Sequence, residues 1–388
     1  MKYTFSHGCL TVYPKGRLSA KESDDFLKEI IGLLDRYNCE SVVIDMSGLE
    51  YLTSPCLHAL LLLKRRISNI TLSNVQPANK EIITTAGLSG LLKITDGFRS
   101  VSIKGCRIIG VGVKGTVYQY SPDTAVKVFR SSESLSNILR ERDLACCALV
   151  HGLPTAISFD VVKVGSQYGA MFELIDAESM SHEMKKYPEK KEEYAKIFAK
   201  LLLDVHRTEV HKDYTVPDIK PLVRQWLDKS GTVLSASEAQ RIYDIIEAVP
   251  DRNTMIHGDY HTNNIMMQRG EPYMIDMGTL SHGHPVFELA NIYTAYVGFG
   301  EYDRSMAENF LGLPYDFCIS FWDIFFSYYT KGMSEPEKDG LLKLARLLGC
   351  IRYLHHILRR DDISSDAGAV ISGLHNTVSE LLPKISAF

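Results

Sequence analysis

The sequence lacks the tracts that would place it in a membrane or on a nucleic acid. Its longest apolar run, LHALLLLK at 57–64, is far too short to span a bilayer. The opening residues MKYTFSHGCL lack the apolar core of a secretion signal. No basic run exceeds Lys64-Arg65-Arg66 and the formal net charge is −4, so neither a nucleic-acid partner nor a membrane partner is expected. Eight cysteines show no metal-type spacing, and the only close pair is Cys146-Cys147; free thiols in a reducing, cytoplasmic setting follow. There is no internal repeat and no Pro/Ser-rich linker.

What is present is 388 residues, 45% hydrophobic and 23% charged, a globular composition with enough length for two or three packed units. Residues 1–98 alternate short apolar strands (9–14, 41–46, 70–75) with helices (19–37, 54–67) whose apolar residues recur at three and four spacing, as in Phe26, Ile30, Leu33 and Leu34. That is a small α/β unit. A soft boundary falls near TDGFRS at 95–100; a β-hairpin texture follows to Phe129, and helices dominate from about residue 190.

The stretch IIGVGVKGTVYQYSPDTAVKVF, 108–129, spells GxGxxG with Gly110, Gly112 and Gly115. In a dinucleotide site these glycines lead into a helix, whereas here Thr116–Tyr120 alternate like a strand, Ser121-Pro122-Asp123 turn, and Thr124–Phe129 form another strand. A glycine-rich hairpin tip is a lid whose bare backbone can lie close over phosphates. On its last strand the period of two puts Ala125 and Lys127 on one face, a small residue under a flat base and an ammonium for the phosphates. In the helix after it, Ile138, Ala145, Ala148 and Leu149 share one arc with Glu141. A carboxylate there needs a partner, and either Lys127 or Arg142 supplies it.

The densest polar segment is HGDYHTNNIMMQRGEPYMIDMG, 257–278. His257 and His261 are four apart, but Gly258 stands where a helical zinc-protease site has glutamate. Phosphoryl transfer accounts for the segment better. It needs a carboxylate to orient and deprotonate the attacking hydroxyl, which Asp259 can supply, and oxygen ligands for magnesium, which Asn264 and Asp276 can supply.

With those motifs in order, residues from about 105 to 388 resemble the aminoglycoside phosphotransferase and choline kinase family, relatives of the protein kinases. HGDYHTNNIM resembles that family's catalytic loop, MIDMG its metal-binding strand end, and GVGVKGTV, AVKVF and RERD its phosphate lid, phosphate lysine and helix glutamate. The resemblance implies an α+β bilobal kinase-like fold, with a β-rich lobe over 99–175 and a helical lobe over 176–388. It also implies ATP and Mg2+ as cofactors. Nucleotide contacts are implied from Gly110, Gly112, Gly115, Val117, Ala125 and Lys127 and from the hinge backbone at Glu173 and Ile175 in MFELIDAESM. Catalytic roles fall to Asp259, Lys127 and Glu141, and metal binding to Asn264 and Asp276. LLLDVHRT at 201–208 is similar to a helix bearing a structural histidine. This chain departs from the pattern at Asn263 and Ala177, where glycine is usual, and at His284 and Glu288 in HPVFELA, where aspartates are common.

Residues 1–98 resemble a STAS domain, the fold of anti-sigma-factor antagonists, through GCLTVYPKGRLSA, SVVIDMSGLEYLTSPCLHALLLL and LSNVQPANKEIITTAGLSGLLKI. Where regulatory members carry a phosphorylatable serine before a glycine, this chain has Pro55 and Cys56, and Ser54 one place earlier reads as a helix N-cap. The combined reading is a kinase for a hydroxyl on a small molecule, carrying a STAS-like regulatory or interaction module that offers a surface to a protein partner. The alternative is a protein-phosphorylating or nucleotide-sensing regulator. The C-terminal aromatics, including Tyr293, Tyr296, Phe321, Trp322, Phe325, Phe326, Tyr328 and Tyr329, suit a cage for a cationic acceptor or, on ordinary burial preference, a helix-packing core.

Overall fold

The structure, a computed structural model, describes residues 2–6, 8–37, 39–359 and 367–385. It divides into two compact units, Met1–Ile138 with Phe159–Met171, and Leu139–Ser158 with Phe172–Phe388.

The first unit holds two larger sheets with separate cores, besides a two-stranded pairing of Gly16–Arg17 with Leu49–Tyr51. In the five-stranded sheet the order is Lys2–Ser6, Cys9–Tyr13, Ser41–Asp45, Ile70–Val75, Lys93–Asp96. The first pair is antiparallel and the remaining pairs are parallel. Parallel neighbours require crossovers, which the helices Ala20–Tyr37, Ser54–Arg66 and Pro77–Thr85 provide. The strands alternate buried and half-buried positions, so Leu10, Val12, Val42, Ile44 and Leu72 meet Phe26, Ile30, Leu60 and Leu63 in one core. The edge strand Lys2–Ser6 and the helix Pro77–Thr85 carry too weak an apolar period to be anticipated from sequence; the former is largely exposed.

One expectation fails here. Thr53, not Ser54, is the N-cap of the second helix: its hydroxyl accepts from Cys56 N, and Ser54 and Pro55 open the helix with the Ser54 side chain exposed. Thr53 also donates to Leu18 O, a second anchor that a serine one residue later could not reach.

The second sheet of this unit runs Arg99–Ser100, Ser158–Val164, Gln167–Glu173, Thr124–Phe129, Gly115–Ser121, Arg107–Val111. Val126, Val128, Val162 and Met171 form its core. The hairpin expected over 108–129 is present, with its turn at Pro122 and Asp123.

The second unit is mainly helical. The long helix Glu335–Leu358 packs on Val286–Tyr293 and on Lys220–Ser230, while Tyr315–Tyr329 packs on Lys191–Arg207. At the centre Phe198 touches the rings of Tyr260, Tyr296, Phe321 and Phe325, at centroid distances of 4.5, 5.9, 5.4 and 5.0 Å. The C-terminal aromatics are therefore packing core: Tyr296, Phe321 and Phe325 are fully buried. The expected helix around Glu141 is Leu135–Val150, with Ile138, Ala145 and Ala148 buried. Leu149, placed on the packing arc by the helical period, is exposed because it lies in the last turn, next to the still more exposed Val150. No helix among the described residues is long and apolar enough to cross a membrane.

Replacing Thr53 by alanine should cost this first unit about 1–2 kcal/mol, the usual penalty of a lost cap. Ser54→Ala should stay within about 0.5 kcal/mol, as expected for an exposed surface change. Denaturant unfolding of the two variants checks the order.

Candidate active site

Asp259, Asn264 and Asp276 come together through backbone pairing of the segments that carry them. The strands Ile265–Gln268 and Glu271–Met274 form an antiparallel hairpin, and just beyond it Ile275 N donates to Asn264 O at 3.0 Å. Asp276 is thus one residue from a hydrogen bond to Asn264. Asn264 in turn donates through Nδ2 to Asp259 O at 3.0 Å and lies 3.4 Å from Asp259 Oδ2. Asp276 adopts left-handed backbone geometry, φ 61°, ψ 58°, which is uncommon away from glycine and recurs at functional sites.

His257 ties the two segments together from beneath. Its ring is fully buried, with Nε2 3.1 Å from Ile275 O and Nδ1 3.3 Å from Asp259 N. The carbonyl needs a donor and the amide an acceptor, so the proton sits on Nε2. Burial lowers the pKa of this histidine and outweighs the opposing pull of Asp259, so the ring is neutral at pH 7. Gly258 has φ +82° and a Cβ there would lie 2.4 Å from Thr279 O, so this position admits only glycine.

Glu288 holds the loop from the other side. Its carboxylate accepts from Gly258 N at 3.1 and 2.9 Å and from Tyr260 N at 3.4 Å, and it is completely buried. Burial raises its pKa to about 7 against the effect of those amides and of Arg352. Glu288 therefore positions the Asp259 loop. The aspartate usual at this place in the resemblance is here replaced by a longer side chain with the reach for two amides.

Arg352, from the helix Glu335–Leu358, completes the surroundings. Its Nη1 lies 3.4 Å from Gly258 O and its Nη2 3.7 Å from Asp259 Oδ1, while the guanidinium stacks over Trp226 at 5.2 Å. His261 Nε2 is 3.6 Å from Asp259 Oδ2. Burial pushes the Asp259 carboxyl up, but His261 and Arg352 outweigh it and hold the group well below the usual carboxylate range. Asp259 is thus an ionised, weakly basic carboxylate whose oxygens are fixed from two sides.

The remaining predicted residues fall into their own elements. Val117 pairs across the ladder with Lys127 on one side and Gly110 on the other. Direct partners and i±2 neighbours share a face, so Val117, Ala125 and Lys127 form one surface of the sheet. Lys127 Nζ lies 5.2 Å from the centre of the Phe129 ring. Gly115 is required by the fold, since a Cβ would sit 2.2 Å from Val128 O. At Gly110 and Gly112 a Cβ would meet only ordinary contacts, so packing does not explain their bareness.

In the second unit, Glu141 is buried, and its carboxylate abuts Gly278 so closely that a Cβ would come within 2.7 Å of Oε2. Arg142, its alternative partner, is engaged by Asp143 at 2.6 Å. Glu173 N donates to Ile157 O at 2.8 Å. Ile175 O accepts from Ala177 N at 2.9 Å. His206 Nδ1 is 2.7 Å from the Tyr329 hydroxyl, in line with a structural role.

No three His, Cys, Asp or Glu side chains form a metal cluster among the described residues. Magnesium does not need one. It is commonly held by one or two protein oxygens, with phosphate oxygens and water completing the shell. The side-chain oxygens of Asn264 and Asp276, on segments joined by the Ile275–Asn264 backbone bond, are of the type in that donor set.

A model of the phosphotransferase enzyme family matches residues 105–314, more than half of the chain, and the protein belongs to that family. A model of the Mlab, STAS domain matches residues 1–93. Among solved structures, similarity is found to an ADP-bound aminoglycoside phosphotransferase, at 16% identity over 71% of this chain and 94% of that one, TM-score 0.49. A choline/ethanolamine kinase family protein from Mesorhizobium loti is similar at 13% identity over 71% and 87%, TM-score 0.46. A putative anti-sigma factor antagonist from Thermotoga maritima is similar at 19% identity over 24% and 85%, TM-score 0.23. A search of curated proteins gave no match.

The raised pKa of Glu288 gives a signed expectation. Between the unfolded carboxyl value near 4.3 and the folded value of about 7 the native state holds more protons, so this group's contribution to stability falls as pH rises through that window. Relative to Glu288→Gln, the wild type should lose roughly 2–3 kcal/mol between pH 5 and 8, at about 1.4 kcal/mol for each pH unit inside the window. Chemical denaturation of both proteins across that range checks it, and a pH-independent difference would show that Glu288 is ionised throughout.

Proposed function

We propose that this phosphotransferase uses ATP and magnesium to phosphorylate a hydroxyl on a small molecule, and that the STAS-like region is an interaction or regulatory module for a protein partner. The observation that carries the proposal is the joining of Asp259, Asn264 and Asp276 through the Ile275–Asn264 backbone bond and the Asn264–Asp259 side-chain contacts.

In this reading Asp259 receives the acceptor hydroxyl. The new bond forms between the acceptor oxygen and the γ-phosphorus, the bond from that phosphorus to the β-bridging oxygen breaks, ADP leaves, and the proton passes to Asp259 or onward to solvent. A carboxylate held this acidic is a poor base at neutral pH, so its main contribution is orientation. That suits a loose transition state, in which the hydroxyl proton is lost late. Asn264 and Asp276 would hold the magnesium, which when bound would neutralise charge on the phosphates. Lys127 would orient the phosphates and Gly110, Gly112 and Gly115 would cover them, while Glu141 has the supporting role that the family motif implies. Val117 and Ala125 would offer the adenine an apolar face, and the backbone at Glu173 and Ile175 would be the source of its polar contacts.

Asp259→Asn should keep nucleotide affinity within a few-fold and lower turnover by about 10²-fold or more, the cost of losing the orientation of the acceptor hydroxyl. Asp276→Ala should instead weaken magnesium-dependent ATP binding by tenfold or more. Calorimetric titration with MgATP and a coupled ADP assay separate the two roles; full turnover in both variants would refute the assignment.

A further inference from the structure

The segment TDGFRS at 95–100, where the sequence places a soft boundary, is not a linker. Boundaries between domains that move independently fall in exposed, flexible stretches. Here the chain is engaged at each step, all of it within the first unit. Asp96 stands opposite Val75 in the ladder of the five-stranded sheet, and Gly97 N donates to Val75 O at 2.8 Å. Gly97 lies so close to Asn74 that a Cβ there would sit 2.0 Å from the Asn74 carbonyl carbon, so two backbones touch where no side chain fits. Asn74 turns with left-handed backbone, φ +55°, which asparagine tolerates, and its Nδ2 donates to Asp45 Oδ2 at 2.9 Å. The turn against which Gly97 packs is therefore itself pinned.

One residue further the chain belongs to the other sheet. The Phe98 ring meets Tyr168 edge to face at 5.2 Å. Arg99 and Ser100 pair in parallel with Val162 and Lys163, and Val101 N donates to Lys163 O at 2.8 Å. The Arg99 guanidinium lies 3.6 Å from the Asp160 carboxylate and donates to the Met171 sulfur at 2.9 Å. Val101 and Ile103 then pack on the core of Val126, Val128, Val162 and Met171. Arg99–Ser100 is thus an edge strand of the six-stranded sheet, with two strands between it and Thr124–Phe129, which carries Ala125 and Lys127. The cores of the two sheets stay separate, but the backbone passes from one ladder into the other with no free residue between Gly97 and Arg99.

We propose that the STAS-like region and the nucleotide-binding sheet open and close as one cooperative unit, so that ordering or loosening of the module by its partner changes nucleotide affinity. The module is then no tethered docking domain but an extension of the edge of the nucleotide sheet. Two domains on a flexible tether open independently, and a ligand on one leaves the other's opening unchanged. Two that open only together share the whole stabilisation that the ligand brings. The linkage is reciprocal, so nucleotide occupancy also acts on the module and on what it binds. This rests on the reading above in which Ala125 and Lys127 serve a nucleotide.

The test follows amide hydrogen exchange in the full-length protein, without nucleotide and with MgATP at about a hundred times the Kd found by calorimetric titration. In the wild type the slowest amides of Ile70–Val75 should slow about a hundredfold, by the factor 1 + [L]/Kd, together with those of Thr124–Phe129. A second protein carries a flexible Gly/Ser segment of about eight residues between Gly97 and Phe98. There MgATP should still slow Thr124–Phe129 but leave Ile70–Val75 unchanged. An unchanged Ile70–Val75 in the wild type beside a slowed Thr124–Phe129 overturns the proposal while leaving the nucleotide site standing. So does a slowing at Ile70–Val75 that survives the insertion. If the insertion variant fails to fold, the wild-type comparison decides alone. Failure of the underlying reading looks different: calorimetry would show no binding of MgATP, neither strand would respond, and the linkage would fall with it.

Discussion

The contact on which the site depends is the buried Glu288 carboxylate beneath the amides of Gly258 and Tyr260. These amides sit in a turn that closes no ladder of its own, and the left-handed geometry of Gly258 aims them inward. Without an acceptor they would be orphaned donors in the interior, each costing about 1–3 kcal/mol. With one, the loop has a single position. The side chains that follow, Asp259 and His261, inherit it.

The second charge in this arrangement is Arg352, which lies against Gly258 O and Asp259 and opposes the upward pull of burial on the Glu288 pKa. Burial pulls its own pKa down while the carboxylates of Asp259 and Glu288 oppose that. Two acids and one guanidinium thus share one region, an arrangement stable only when every member is satisfied. The helix bearing Glu288 runs into a π-helical turn, Thr294–Gly298. Such turns are rare and often mark functional sites. Here the turn lets Tyr296 accept from Thr262 N at 3.1 Å and donate to Thr262 Oγ1 at 2.8 Å, so the same helix fixes the Asp259 loop at both ends.

Much of this was legible in the sequence where the signal is local. Alternation named the strands Cys9–Tyr13, Ser41–Asp45 and Ile70–Val75, because their side chains face one core at a period of two. The polar run 257–278 pointed to Asp259, Asn264 and Asp276, because short hairpin connections keep neighbours in sequence close in space. The N-cap was displaced by one residue because the tertiary bond from Thr53 to Leu18 O, 35 residues away, has no local signature. The role of Glu288 was hidden for a similar reason: its partners lie 28 and 30 residues back. A signal did exist, since a lone acid in VFELANIY and a lone base in GCIRYL are each costly in an apolar helix unless paired. The pairing itself emerges only when the helices pack.

Amide hydrogen exchange followed on the peptides spanning residues 255–264 tests this account most directly. In the wild type the amides of Gly258 and Tyr260 should exchange slowly, with the protection of the surrounding core. In Glu288→Ala they should exchange at least a hundredfold faster while the strand Met255–Ile256 and the helix Tyr315–Tyr329 keep their protection. Unchanged protection at Gly258 and Tyr260 in a folded Glu288→Ala protein would contradict the claim that this buried carboxylate holds the loop.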